Sequence, residues 1–125
     1  MIDHLKKKVI QSLFSVHEVI LSTFGPAELQ SSQVACEARE LRIYLLIPRS
    51  SDHLLNVDQT HLVVLVSPVW ELRGLAHTLP PTETPANLML AQLPQASWCR
   101  LVEVNPTRMT LTANPGAEHI ETIDF

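Results

Sequence analysis

Apolar residues near the start of the chain recur at three- and four-residue steps. Ile2, Leu5, Val9, Leu13 and Phe14 form one stripe, with Lys6, Lys7 and Lys8 off it. That period predicts an amphipathic helix over 2–14. The pattern then changes. Val16, Val19, Ile20, Leu21 and Phe24 are β-favouring or large, and Gly25-Pro26 ends them, so a strand is expected over 16–24. A second strand is expected over 30–38, with Gln33, Val34, Ala35 and Cys36 at its centre. The charged Glu37-Ala38-Arg39-Glu40 closes a hairpin into a third strand over 41–48. The middle of that third strand, Ile43-Tyr44-Leu45-Leu46-Ile47, is continuously apolar, as in a strand covered on both faces.

Pro48 stops the third strand, and Ser50-Ser51-Asp52 offers N-cap chemistry for a short helix whose buried face is Leu54, Leu55 and Val57. Leu62 to Val66 is a fourth strand, all aliphatic. A fifth over 69–79 alternates Trp70, Leu72, Gly74 and Ala76 against Glu71, Arg73, Leu75 and His77. Gly74 removes a side chain in mid-strand, which suits a bend or a close neighbour. Residues 79–84 read as a loop and 85–93 as a helix with Pro85 at its first position. A sixth strand over 98–104, a turn at Asn105-Pro106, a seventh strand over 108–112 and an apolar–polar tail complete the chain. Many short strands with helices at a few fixed points do not make a βαβ repeat. The expected fold is mainly β (α+β): a single domain over 1–125, a six- to seven-stranded antiparallel barrel with peripheral helices.

Bulk properties narrow the function. The chain has 125 residues, 46% of them hydrophobic, and a net charge of −4. The length suits one core, and the acidic balance argues against nucleic acid as the main partner. The three lysines are consecutive, a short run of the kind that forms a solvated face. No apolar run approaches the roughly 20 residues of a membrane-spanning helix. No secretory signal pattern follows the N-terminus, so a cytoplasmic location is expected. Cys36 and Cys99 match no metal or redox spacing and are expected to be reduced and buried. Trp70 is expected in the core or a subunit interface and Trp98 in the core, with Arg73 and Arg100 pairing with Glu71 and Glu103.

The usual catalytic spellings are absent. There are three glycines and no phosphate-cradling glycine loop, no G-x-S-x-G and no H-E-x-x-H. The six histidines are scattered, so no metal site is expected, and no catalytic acid or base stands out. One segment carries more chemistry: Pro48-Arg49-Ser50-Ser51-Asp52-His53-Leu54-Leu55-Asn56-Val57. A strand ends, an arginine follows and a helix opens on hydroxyl residues. The first turn of a helix presents unpaired N–H groups and partial positive charge. With the fork of Arg49, the hydroxyls of Ser50 and Ser51 and the ring of His53, this makes a candidate phosphate seat. The same residues also read as an ordinary capped helix beside a surface arginine, and local chemistry leaves both readings open.

The order of these pieces resembles the pyridoxamine 5′-phosphate oxidase-like, FMN-binding split-barrel family. The resemblance rests on Ile43 to Ile47 running into Ser51-Asp52-His53, then Asn56-Val57, Leu62 to Val66 and Trp70 to Ala76 with its Gly-x-Ala ending. It continues through Trp98 to Met109 and the closing Glu121-Thr122-Ile123-Asp124. It covers the chain from about residue 5 onward, by order and spacing rather than by any strict motif. It implies a homodimer with FMN at the subunit boundary. The positions matching the family's cofactor contacts are Gln33, Val34, Leu46, Ile47, Arg49, Ser51 and His53. This sequence departs from the pattern at His53, where lysine is usual, at Asp52, where arginine is frequent, and at Gln33, where the vitamin B6 oxidases carry arginine. A neutral imidazole gives one donor where an ammonium gives three and a charge, and Asp52 would repel phosphate. Three functions follow: an FMN-dependent oxidoreductase; a non-catalytic dimer binding or sensing flavin or haem; or a degenerate member without cofactor.

Overall fold

The computed structural model describes residues 2–111 and 121–125. Helix α1 (Ile2–Phe14) leads into strands β1 (Glu18–Thr23), β2 (Gln30–Arg39) and β3 (Arg42–Pro48). Helix α2 (Asp52–Gln59) follows, then β4 (Leu62–Val66), β5 (Trp70–Thr78), β6 (Cys99–Leu111) and β7 (Glu121–Asp124). The strand order is β3-β2-β1-β4-β5-β6-β7, and a further β3–β6 pairing closes the first six into a barrel. Every pairing is antiparallel. The expected barrel is therefore present, with β7 added alongside the far half of β6.

Alternation along the strands fills the interior. On β5, Trp70, Leu72, Gly74 and Ala76 face inward while Glu71, Arg73, Leu75 and His77 face out, as the sequence pattern requires. Val9 and Leu13 of α1 join this core, and the Trp70 indole N–H donates to the Ser12 carbonyl at 3.1 Å. β3 is buried from Ile43 to Ile47 because its outer face is covered too. Tyr44 and Leu46 pack there with Leu79, Leu88, Leu90 and Cys99 in a second apolar cluster.

Four sequence expectations are corrected. Asn105-Pro106 does not turn the chain; β6 runs through it. The register passes from Gly74 opposite Pro106 to Arg73 opposite Arg108, leaving Thr107 as an extra residue in a bulge. Proline has no N–H to give the ladder, so it sits at this irregularity. A Cβ on Gly74 would lie 2.6 Å from Val104 Cγ1 and 2.8 Å from the Asn105 carbonyl, so the glycine permits the close approach. Residues 85–93 form no α-helix. Short 3-10 turns occupy Pro81–Glu83, Met89–Gln92 and Pro94–Trp98, because Asn87 takes the left-handed φ of 60° and Pro94 interrupts any continuation. Trp98 is 60% exposed rather than core: the next residue, Cys99, turns into the second cluster. Arg100 and Glu103 stand three apart on one strand and face opposite ways. Glu103 instead accepts from the Tyr44 hydroxyl and lies near His77 and Arg42. Thr112, the expected end of the seventh strand, lies outside the described residues.

Candidate functional site

The handover from β3 to α2 is tied at both ends. The Arg49 backbone N–H donates to the Trp98 carbonyl at 3.0 Å, fixing the end of β3 to the start of β6. Ser51 then caps α2: its backbone is extended, and its Oγ accepts from the His53 N–H at 3.2 Å. The strand, cap and short helix expected from Pro48 to Val57 are thus present, with the Ser51 oxygen as the cap. The buried face of the helix is His53, Asn56 and Val57 rather than Leu54, Leu55 and Val57: the two polar side chains turn inward to hydrogen-bond β1 and β2, and Leu55 is exposed.

His53 is turned inward and is 4% exposed. Its Nδ1 lies 2.7 Å from Thr23 Oγ1 on β1, and its Nε2 lies 2.7 Å from Ser32 Oγ on β2. Thr23 Oγ1 also accepts from Asn56 Nδ2 at 3.0 Å. A neutral ring can accept from one of the two hydroxyls and donate to the other, whereas a doubly protonated ring could accept from neither. Burial pushes the His53 pKa below its ordinary value, and the neighbouring Asp52 opposes that shift. Asn56 extends the knot, accepting from the Ala27 N–H at 2.9 Å and donating to the Glu28 carbonyl at 2.9 Å. His53 and Asn56 therefore pin α2 to β1, β2 and the connection between them. Both ring nitrogens of His53 are engaged within the chain.

The seven residues singled out from the sequence do not form one cluster. Val34 and Ile47 point into the barrel core. Gln33 is exposed on β2, donating to the Glu18 carboxylate. Ser51 and His53 serve α2. Leu46 and Arg49, by contrast, line the same cleft of about 200 Å³ on the outer side of β3, together with Leu79, Cys99 and Arg100. An adjoining hollow of about 340 Å³ is lined by Arg49, Arg100, Leu54, Asp58 and Thr78.

Arg49 and Arg100 thus border both spaces. They come to the same end of the ladder because β3 and β6 pair antiparallel, with Ile47 opposite Arg100 and Pro48 opposite Cys99. No local motif in the sequence marks Arg100 or Thr78; finding them requires the closure of β3 on β6. Thr78 Oγ1 is buried and is the one such side-chain atom without a hydrogen-bond partner among the described residues. An unpaired buried hydroxyl costs free energy, on the order of 1–3 kcal/mol. Burial pushes the Cys99 thiol pKa up, and the nearby Arg49 charge works against that rise. Arg49 and Arg100 are the two arginines lining both spaces, and a guanidinium can grip a phosphate through parallel N–H donors. Leu46 and Leu79 provide an apolar floor beside them, and Asp58 is the opposing charge at the far side.

Among the described residues no group of three or more His, Cys, Asp or Glu side chains is arranged to hold a metal ion. No described helix is long and apolar enough to cross a membrane.

No family model matches the chain, and no curated protein matches it in sequence. Solved structures do match. A candidate pyridoxamine 5′-phosphate oxidase from Listeria innocua superposes with a TM-score of 0.71 at 13% identity, covering 88% of this chain and 99% of that one. General stress protein 26 from Bacillus anthracis gives 0.68 at 18% identity, covering 98% and 99%. A heme binding protein from Mycobacterium smegmatis gives 0.69 at 13% identity, covering 95% of this chain and 56% of that one. Likeness at such low identity concerns the fold, and the fold expected from the sequence resemblance is the one found.

Proposed function

We propose that the protein is a homodimer that binds FMN, with the phosphate held by Arg49 and Arg100 and the ring lying toward Leu46 and Leu79. The observation that carries this reading is that Arg49 and Arg100 both line the two adjoining spaces, which Leu46 and Leu79 border on one side. A phosphate dianion fits two arginine side chains at one cleft, since each guanidinium can give it parallel charged donors. Arg49 keeps the role suggested by the sequence, Arg100 replaces His53 as its cationic partner, and Ser51 and His53 hold α2 in place. Gln33 donates to Glu18, whereas Val34 and Ile47 contribute the rigidity of the barrel wall behind the cleft.

FMN, when bound, supplies hydride or electron transfer. The chain supplies an anion seat, an apolar surface and orientation. Oxidoreductase activity on a small molecule is the extension of this reading, and no side chain at the cleft is assigned as acid or base. The dimer accounts for an apolar outer sheet face. Ile20 pairs opposite Val66, and Leu62 opposite Leu75, and all four are more than a third exposed across β1, β4 and β5. A cytoplasmic location accords with two free, buried thiols.

The test is the visible spectrum of the untreated protein. Flavin bands, with FMN released on denaturation, support the reading. A Soret band in their place would transfer the cleft to haem, and a colourless protein that FMN cannot titrate would end the cofactor role.

A further inference from the structure

Residues 80–97 cross the outer side of β3 without forming a strand or an α-helix; three 3-10 turns shape them. Backbone hydrogen bonds to the barrel hold only the two ends of this strap. At one end the Leu79 N–H donates to the Leu101 carbonyl at 2.8 Å, and at the other the Trp98 carbonyl accepts from the Arg49 N–H at 3.0 Å. Between them, bonds such as Glu83 to Pro80, Ala91 to Leu88 and Leu93 to Leu90 stay within the strap. Among the described residues, two polar side chains tie its middle to the barrel, and both belong to β2. Glu37 Oε1 accepts from the Leu90 N–H at 2.9 Å, and Arg39 Nη1 donates to the Ala86 carbonyl at 2.8 Å. The two side chains also pair with each other at 3.6 Å.

The strap is the outer wall of the cleft at Arg49 and Arg100. Pro81, Thr84, Ala91 and Ala96 line that cleft from the strap, and Leu46, Cys99 and Leu101 line it from β3 and β6. With the strap down, the space is about 200 Å³, below the roughly 300–1,000 Å³ of a ligand pocket. Leu88 and Leu90 are the buried residues of 80–97, and both belong to the second apolar cluster rather than to the barrel core. Lifting the strap therefore exposes two leucines and leaves the core intact, so it costs far less than unfolding the barrel.

We propose that residues 80–97 open as one unit about Leu79 and Trp98, with Glu37 and Arg39 as the clasp, and that this opening admits ligand to the cleft. β2 is laddered on both sides, to β1 and to β3, so the clasp residues stay fixed while the strap moves. The gating role rests on the reading of the cleft as a ligand seat; the opening itself does not.

The chain's two thiols test this. Cys99 lies in the cleft beneath the strap and is 8% exposed, whereas Cys36 lies in the barrel core. The ligand-free native protein is labelled with an aromatic disulfide reagent at increasing low urea. Cys99 is expected to react through an opening that barely depends on urea, and Cys36 through steeply urea-dependent global unfolding. Glu37→Ala and Arg39→Ala should each speed Cys99 labelling by about tenfold, through loss of a charge-assisted hydrogen bond. Gly74→Ala strains β5 against β6 and should speed Cys36 alone. Cys99 labelling that shares the urea dependence of Cys36, that rises with it in Gly74→Ala, or that stays unchanged in both clasp variants would overturn the opening. Saturating FMN should slow Cys99 labelling in the wild type. FMN without that effect would overturn admission of FMN to this cleft and leave the opening standing.

Discussion

The imidazole of His53 and the hydroxyl of Thr23 meet at 2.7 Å, and Thr23 also accepts from Asn56. Burial of this ring favours its neutral form. The side chain expected from the sequence to meet phosphate here fastens a helix to a barrel.

Acid should loosen this fastening. The folded-state pKa of His53 lies below its ordinary value of 6.5 because of burial, so the unfolded chain binds the proton more readily. The contribution to stability is present above about pH 6.5 and is lost as pH falls from there toward the folded-state pKa. Urea unfolding between pH 5 and 8 should show this decline. In His53→Ala the pH dependence should flatten, and stability at pH 7.5 should fall by about 1–3 kcal/mol as one buried and one part-buried hydrogen bond are lost. His53→Lys should also destabilise rather than improve anion binding. An unchanged pH profile in His53→Ala would show that another group titrates.

Tyr44 is the chain's single tyrosine, so its ionisation is visible in isolation. Burial pushes its pKa above the ordinary 10, and the hydrogen bond to Glu103 and that carboxylate's charge push it further, against Arg42. Glu103→Gln removes the charge and should lower the alkaline midpoint recorded from tyrosinate absorbance. A midpoint that stays in place would mean that burial alone sets it.

Gly74 faces Val104 and the Asn105 carbonyl at distances no Cβ tolerates. Gly74→Ala should cost about 1–3 kcal/mol in denaturant unfolding, because the obstructing carbonyl belongs to the bulged strand and cannot swing aside. A neutral substitution would show that the bulge yields.

Much of the barrel is legible from side-chain alternation. Trp70 to Ala76 shows its buried face directly, and the unbroken run Ile43 to Ile47 correctly signals cover on both sides. What fails is local chemistry overridden by pairing. Asn105-Pro106 spells a turn, yet β6 continues because Gly74 across the ladder leaves room for the irregularity. The candidate site was half legible. Arg49 and Leu46 are visible from the strand-to-helix handover, but Arg100 and Thr78 lie far along the chain and reach the cleft through tertiary closure. His53 looked like a ligand donor because its partners, Thr23 and Ser32, stand 30 and 21 residues earlier in sequence.

The apolar face of β1, β4 and β5 is expected to be buried between two copies. Leu75→Asp places a charge on that face, 50% exposed in the single chain, and should shift sedimentation from dimer toward monomer without unfolding the barrel. Wild-type protein that sediments as a monomer would remove the dimer.

Affinity for FMN in the wild type, Arg49→Ala and Arg100→Ala, followed by quenching of flavin fluorescence, tests the cleft most directly. Each substitution should weaken binding by at least about tenfold, through loss of a charge-assisted hydrogen bond, with His53→Gln changing affinity less than either. FMN that binds all three equally, or binds none, would contradict a phosphate seat at Arg49 and Arg100.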